Sequence, residues 1–178
     1  MPSLKIWVAS WNCENQFPDQ ITLNTKFILQ KYQEVRQNNR NELPDIIVIA
    51  LQEAIPDDDR FCSGEIASLL NNMGFGQSYQ EIQNTQLKGL TKGKRNYQQM
   101  GVIVKDTLLN DIDGNSIRTG YDKSDAFEGK GGIFISFSVD NPLNANNQLK
   151  LGFIGCHLAS KGPDEDRFEQ FEGILKEY

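Results

Sequence analysis

Apolar residues in this chain gather in short runs and alternations, and their period changes from one segment to the next. Ile46 to Leu51 is an unbroken apolar run, mostly β-branched. It is too short for an ordinary helix and suits a strand buried on both faces. The run ends on Gln52-Glu53. Near the N-terminus, Lys5-Ile6-Trp7-Val8-Ala9-Ser10-Trp11 has the same character and ends on Asn12. Between the two, Leu23, Phe27, Ile28, Tyr32 and Val35 recur at helical spacing, which predicts a helix over 22–36. Asn38 to Glu42 is a polar break. Leu43-Pro44-Asp45 then returns the backbone to extended, because proline disfavours the α region in the residue before it. Strand, helix and parallel strand make a βαβ unit with a right-handed crossover.

Beyond the acidic loop Pro56 to Arg60, Ser63 reads as the N-cap of a second helix carrying Ile66, Ala67, Leu69, Leu70 and Met73, with Gly74 as its C′ residue. Gly76 to Gln86 alternates weakly and reads as a strand. Leu87 to Gln98 reads as a loop bearing Lys88, Lys92, Lys94 and Arg95, and Met100 to Val104 as a strand. A turn region over Leu108 to Gly114, a short strand over Ser116 to Thr119 and a glycine- and charge-rich loop over Gly120 to Gly132 follow. The strand beginning at Ile133 and its partner Gln148 to His157 form a hairpin across the polar turn Asn141 to Asn147. Pro163 suits the first position of a closing helix, with Asp164, Glu165 and Asp166 where the helix dipole favours anions. Phe168, Phe171, Ile174, Leu175 and Tyr178 make its stripe. A βαβ unit followed by hairpins predicts α/β layers, not a purely doubly wound sheet.

Composition narrows the class. At 178 residues the chain fits one domain, and a domain of this size buries about 70% of its unfolded surface, enough for a core without staples. Hydrophobic content of 38% and charged content of 24% fit a soluble globular protein. No apolar run nears the ~20 residues needed to cross a bilayer. No secretory signal pattern opens the sequence. Cys13, Cys62 and Cys156 are odd in number and widely spaced, so neither a disulfide framework nor a zinc site is indicated. A reducing, cytoplasmic location is expected. The net charge of −6 argues against a broad nucleic-acid footprint. It does not exclude a phosphorylated ligand, because a charge pair at ~4 Å is worth ~4 kcal/mol near a surface, while charges beyond ~8 Å are largely screened.

Glu53 and Asn12 end two neighbouring strands at the edge where open α/β sheets hold ligand chemistry. An amide and a carboxylate there would form half of a hard-cation site, since Mg²⁺ takes oxygen ligands and usually only one or two protein carboxylates. Taken singly, Glu53 is more simply a solvated rim residue, and Asn12 could equally be a turn former. His157 is the only histidine and also ends a strand, where it could donate to an anion or serve structurally. Lys130-Gly131-Gly132 sets a cation beside bare backbone that a phosphate could approach, or is simply a flexible loop. The Lys88 to Arg95 cluster is most simply a solvated loop, with phosphate or membrane-headgroup contact as the sharper reading.

Together these segments resemble the inositol polyphosphate 5-phosphatases, within the larger endonuclease/exonuclease/phosphatase superfamily. The matching residues are Ser10-Trp11-Asn12, Pro44-Asp45-Ile46 leading to Leu51-Gln52-Glu53, Met100-Gly101-Val102, Arg118-Thr119-Gly120, Lys130-Gly131-Gly132, His157-Leu158-Ala159 and Arg167. The resemblance implies an α/β sandwich and Mg²⁺-dependent removal of the 5-phosphate from a phosphoinositide or soluble inositol phosphate. It assigns Mg²⁺ binding to Glu53 with Asn12 beside it, and substrate contact to Lys130, Gly131 and His157. A peripheral membrane surface is the further partner implied. Cys13-Glu14-Asn15 departs from the small segment that usually follows Trp-Asn, and the loop from Gly120 to Lys130 is longer than usual. The family's Gly-Asp-x-Asn, Trp-Cys-Asp-Arg-like and Ser-Asp-His segments are absent. Residues 1–178 are therefore expected to be the N-terminal portion of a catalytic domain, incomplete at its C-terminal side and inactive alone. A nuclease of the same superfamily and a non-catalytic phosphoinositide-binding module are the competing readings.

Overall fold

The computed structural model describes residues 3–13, 33–34, 37, 43–54, 62–72, 77–91, 94–122, 131–141, 144–158 and 164–176. Its strands, in chain order, are β1 (Ile6–Asn12), β2 (Ile46–Ala54), β3 (Tyr79–Thr91), β4 (Lys94–Lys105), β5 (Ile112–Asp122), β6 (Gly131–Asn141) and β7 (Asn144–His157). Two α-helices, α1 (Cys62–Asn72) and α2 (Asp164–Lys176), and a 3₁₀ segment at Asp106–Asp111 complete the described elements.

The strands form a four-stranded sheet ordered β1-β2-β4-β3 and a three-stranded sheet ordered β5-β6-β7. β1 and β2 run parallel with Ile6 opposite Ile46 and Asn12 opposite Gln52, as the βαβ pattern requires. The intervening helix expected over 22–36 lies mostly outside the described residues, with Gln33 and Glu34 helical. β2 is buried on both faces. Ile47, Ile49 and Leu51 pack with Ile66, Ala67 and Leu70 of α1, and with Trp7 and Trp11 of β1. Ile46, Val48 and Ala50 pack instead with Met100, Val102 and Val104 of β4 and with Ile133, Ile135, Phe137 and Val139 of β6. α2 covers the far face of the second sheet, where a Cβ on Gly132 would fall within 2.6 Å of Ile174. The architecture is an α/β sandwich of helix, sheet, sheet and helix, as the sequence predicted.

Several local expectations are corrected. Ser63 lies inside α1, which begins at Cys62, and its hydroxyl donates to Glu81 in place of capping the helix. Leu87 to Gln98 is not a loop. Its described residues, Leu87 to Thr91 and Lys94 to Gln98, are paired backbone of β3 and β4, with Lys88 opposite Tyr97 and Thr91 opposite Lys94. Ladder hydrogen bonds carried this polar segment into the sheet without apolar alternation to announce it. The turn expected at Leu108 to Gly114 is a 3₁₀ segment running into β5, which extends well beyond Ser116 to Thr119 at both ends. β6 and β7 likewise start earlier than their apolar cores, at Gly131 and Asn144. Among the described residues of the α2 stripe, only Ile174 is buried, with Phe168 65% exposed. Met73, Gly74, Lys92, Pro163 and Tyr178 lie outside the described residues.

Candidate active site

A β-bulge builds the site. Leu51 pairs with Gln99 and Ala54 with Tyr97, so Gln52 and Glu53 together oppose the single residue Gln98. Glu53 takes a φ of 53°, a left-handed conformation that is uncommon outside glycine. The bulge changes where the side chains go. Leu51 and Ala54 both belong to the core under α1, so the extra residue between them leaves Gln52 and Glu53 toward the second sheet. A regular strand would have turned Glu53 back toward the helix.

His157 approaches from the other sheet. It shares a face of β7 with Leu149, Leu151 and Phe153, which pack into the intersheet core. Gly155 lies between, where a Cβ would sit 3.3 Å from the Ala50 Cβ, so the lack of one lets the strands close together at this end. His157 Nε2 lies 3.3 Å from Glu53 Oε1, with the two side chains only 11% and 22% exposed. Asn12 stands at the same rim, in register with Gln52 and exposed. Beside it the Gln52 amide donates to Ser10 Oγ at 2.9 Å.

The three site residues read from strand ends therefore share one rim. Gly131, the fourth, is paired with His157 and has a φ of 141°, where a side chain would be strained. Its carbonyl accepts a hydrogen bond from the buried Gln98 side chain at 3.3 Å. Lys130 lies outside the described residues. Cys13 follows Asn12 into the core, and its thiol is pushed up to about 12 by burial first and by the negative charge of Glu53 second. Burial likewise raises the Cys156 thiol.

Among the described residues, no three His, Cys, Asp or Glu side chains cluster as a metal cage. What the rim offers is one half-buried carboxylate with an amide nearby. That donor set fits Mg²⁺, which keeps several waters and takes substrate oxygens as ligands, better than it fits zinc or calcium. Sequence reasoning missed the bulge and Gln98. The two polar residues closing the apolar run of β2 were the signal for the first. For the second, Gln98 has the same parity as Met100, Val102 and Val104.

Residues 9–178 match the family described as Endonuclease/Exonuclease/phosphatase family 2. Among curated proteins, none matches the chain.

Proposed function

The chain belongs to endonuclease/exonuclease/phosphatase family 2, whose members are hydrolases that generally use divalent metals, and we propose that it is the N-terminal portion of a Mg²⁺-dependent phosphomonoesterase domain. The substrate is a phosphoinositide or a soluble inositol polyphosphate, and the 5-phosphate is the group removed. The approach of Glu53 to His157 at 3.3 Å across the two sheets carries this reading.

Each residue has a role suited to phosphoryl transfer, which needs positioning and charge stabilisation more than covalent chemistry by the protein. Glu53 and the Asn12 amide would hold the metal. Bound Mg²⁺ supplies charge neutralisation on the phosphate and polarises the phosphoester. His157, at the rim beside Glu53, would donate a ring N–H to a phosphate oxygen. Gly131, the register partner of His157, would leave bare backbone for that oxygen to approach, and Lys130, its neighbour in sequence, would supply a cation. The surrounding intersheet core excludes water from one side, which strengthens each of these contacts.

No second histidine is available to activate water. With the Ser-Asp-His segment also absent, the 178 residues alone are expected to be inactive, so the longest natural form is the one to assay. Its location is cytoplasmic, reaching membranes peripherally when the substrate is a lipid. The test is Mg²⁺-dependent release of inorganic phosphate by that form from phosphoinositide vesicles and from soluble inositol polyphosphates, beside a duplex DNA control. Phosphate release abolished by Glu53→Gln supports the proposal. DNA cleavage without phosphate release would replace it with a nuclease. Vesicle binding that survives Glu53→Gln and needs no Mg²⁺ would replace it with a binding module.

A further inference from the structure

We propose that Gln98 is the positioning residue of this site, a buried amide that sets the distance between Glu53 and His157. Gln98 is the residue opposite the bulge formed by Gln52 and Glu53 on β2. From β4 its side chain, 1% exposed, reaches across the layers to donate to the Gly131 carbonyl at 3.3 Å. Gly131 is in turn the register partner of His157. One side chain thus links the strand pair that aims the carboxylate to the strand pair that aims the imidazole.

The chemistry of a glutamine suits this task. A buried amide keeps a partner wherever it can, because an unsatisfied polar group in the interior is costly. It therefore fixes two backbones relative to one another more specifically than an apolar contact would. Two and four residues further along β4, Met100 and Val102 are apolar and fill the same intersheet layer. A third apolar residue at 98 would satisfy packing alone, so the polar choice points to geometry. Gly131, which accepts from Gln98 and pairs with His157, holds a φ of 141° that a residue with a side chain would adopt only under strain.

This assignment rests on the reading of Glu53 and His157 as site residues. Because the chain has one histidine, its imidazole resonance reports the site without any activity assay. Gln98→Met keeps the volume and removes the donor, and Gln98→Asn keeps an amide too short to reach. Lys105→Met, at the far end of the sheets, is the control for general loosening. Both Gln98 variants are expected to fold cooperatively and to shift the imidazole resonance in metal-free protein. They should also weaken the Mg²⁺-induced change in that resonance by about 10-fold or more in affinity, as outer-shell substitutions do. Lys105→Met should leave the resonance in place. Unchanged imidazole signals in both Gln98 variants, or failure of both to fold, would overturn the proposal in favour of a purely structural role. A wild-type resonance indifferent to Mg²⁺ would count against the functional reading of the site, while the metal-free shift would still decide the role of Gln98.

Discussion

Lys105 Nζ lies 2.7 Å from Asp45 Oδ1 at the end of the sheet opposite Glu53, with the two side chains 14% and 24% exposed. The ammonium also donates to the Leu43 carbonyl at 2.9 Å, and the second Asp45 oxygen accepts the Lys5 amide at 2.8 Å. These bonds tie the starts of β1 and β2 to the end of β4. Lys105→Met should cost about 1–3 kcal/mol in urea unfolding, because Asp45 then loses a charged partner while remaining half-buried. A cost below ~0.5 kcal/mol would mean that the pair behaves as an ordinary surface ion pair.

Gly101 faces α1, where an added Cβ would lie 2.0 Å from Ser63 Oγ and 2.2 Å from Ser63 Cβ. Rotating the hydroxyl relieves only the first contact. Gly101→Ala should therefore destabilise by about 1–3 kcal/mol through forced separation of helix and strand. Ser63→Ala cannot rescue it, since the Cβ clash remains. Chemical denaturation of the two single variants and the double variant checks this.

Cys13 makes a prediction about alkaline pH. Its thiol is raised to about 12 in the folded chain, whereas the unfolded chain gives up that proton near pH ~8.5. The unfolded state then binds fewer protons between these values, so stability falls as pH rises through the window and is complete below it. Wild type should lose stability across that range relative to Cys13→Ala, compared by urea midpoints at pH 8 and above. Alkylation of native protein near pH 8 should be slow at Cys13, because the thiolate is the nucleophile.

Strain at Glu53 separates stability from function. A non-glycine residue at a φ of 53° costs about 1–2 kcal/mol, and Asn tolerates that region better than Glu. Glu53→Asn should leave stability unchanged or raise it by up to ~1 kcal/mol while removing Mg²⁺ binding. A large loss of stability would show that contact with His157, not the metal, is the reason for a glutamate there.

Much of this was legible because buried strands announce themselves. The apolar run of β2 and the shorter one of β1 located Asn12 and Glu53 at neighbouring strand ends, and the alternation of β7 located His157. The polar β3-β4 hairpin was not legible, because Gln86 to Thr91 and Lys94 to Gln98 lack apolar alternation in sequence, while their backbones pair across the two strands. The bulge escaped for a related reason. An extra residue is visible only once Leu51 and Ala54 are known to share a face, which is a property of the pairing with β4. Ser63 looked like a helix cap because hydroxyls commonly serve as caps, and here Glu81 of the neighbouring strand took the hydroxyl instead.

The central claim is that Glu53, with Asn12 beside it, holds a divalent ion within reach of His157. Mn²⁺, a paramagnetic ion that takes the same oxygen ligands as Mg²⁺, tests it through the sole imidazole resonance of the 178-residue chain. The account predicts selective broadening of that resonance at substoichiometric Mn²⁺, reversed by excess Mg²⁺ and absent in Glu53→Gln. A resonance that stays sharp in the wild type, or broadens equally in Glu53→Gln, would contradict it.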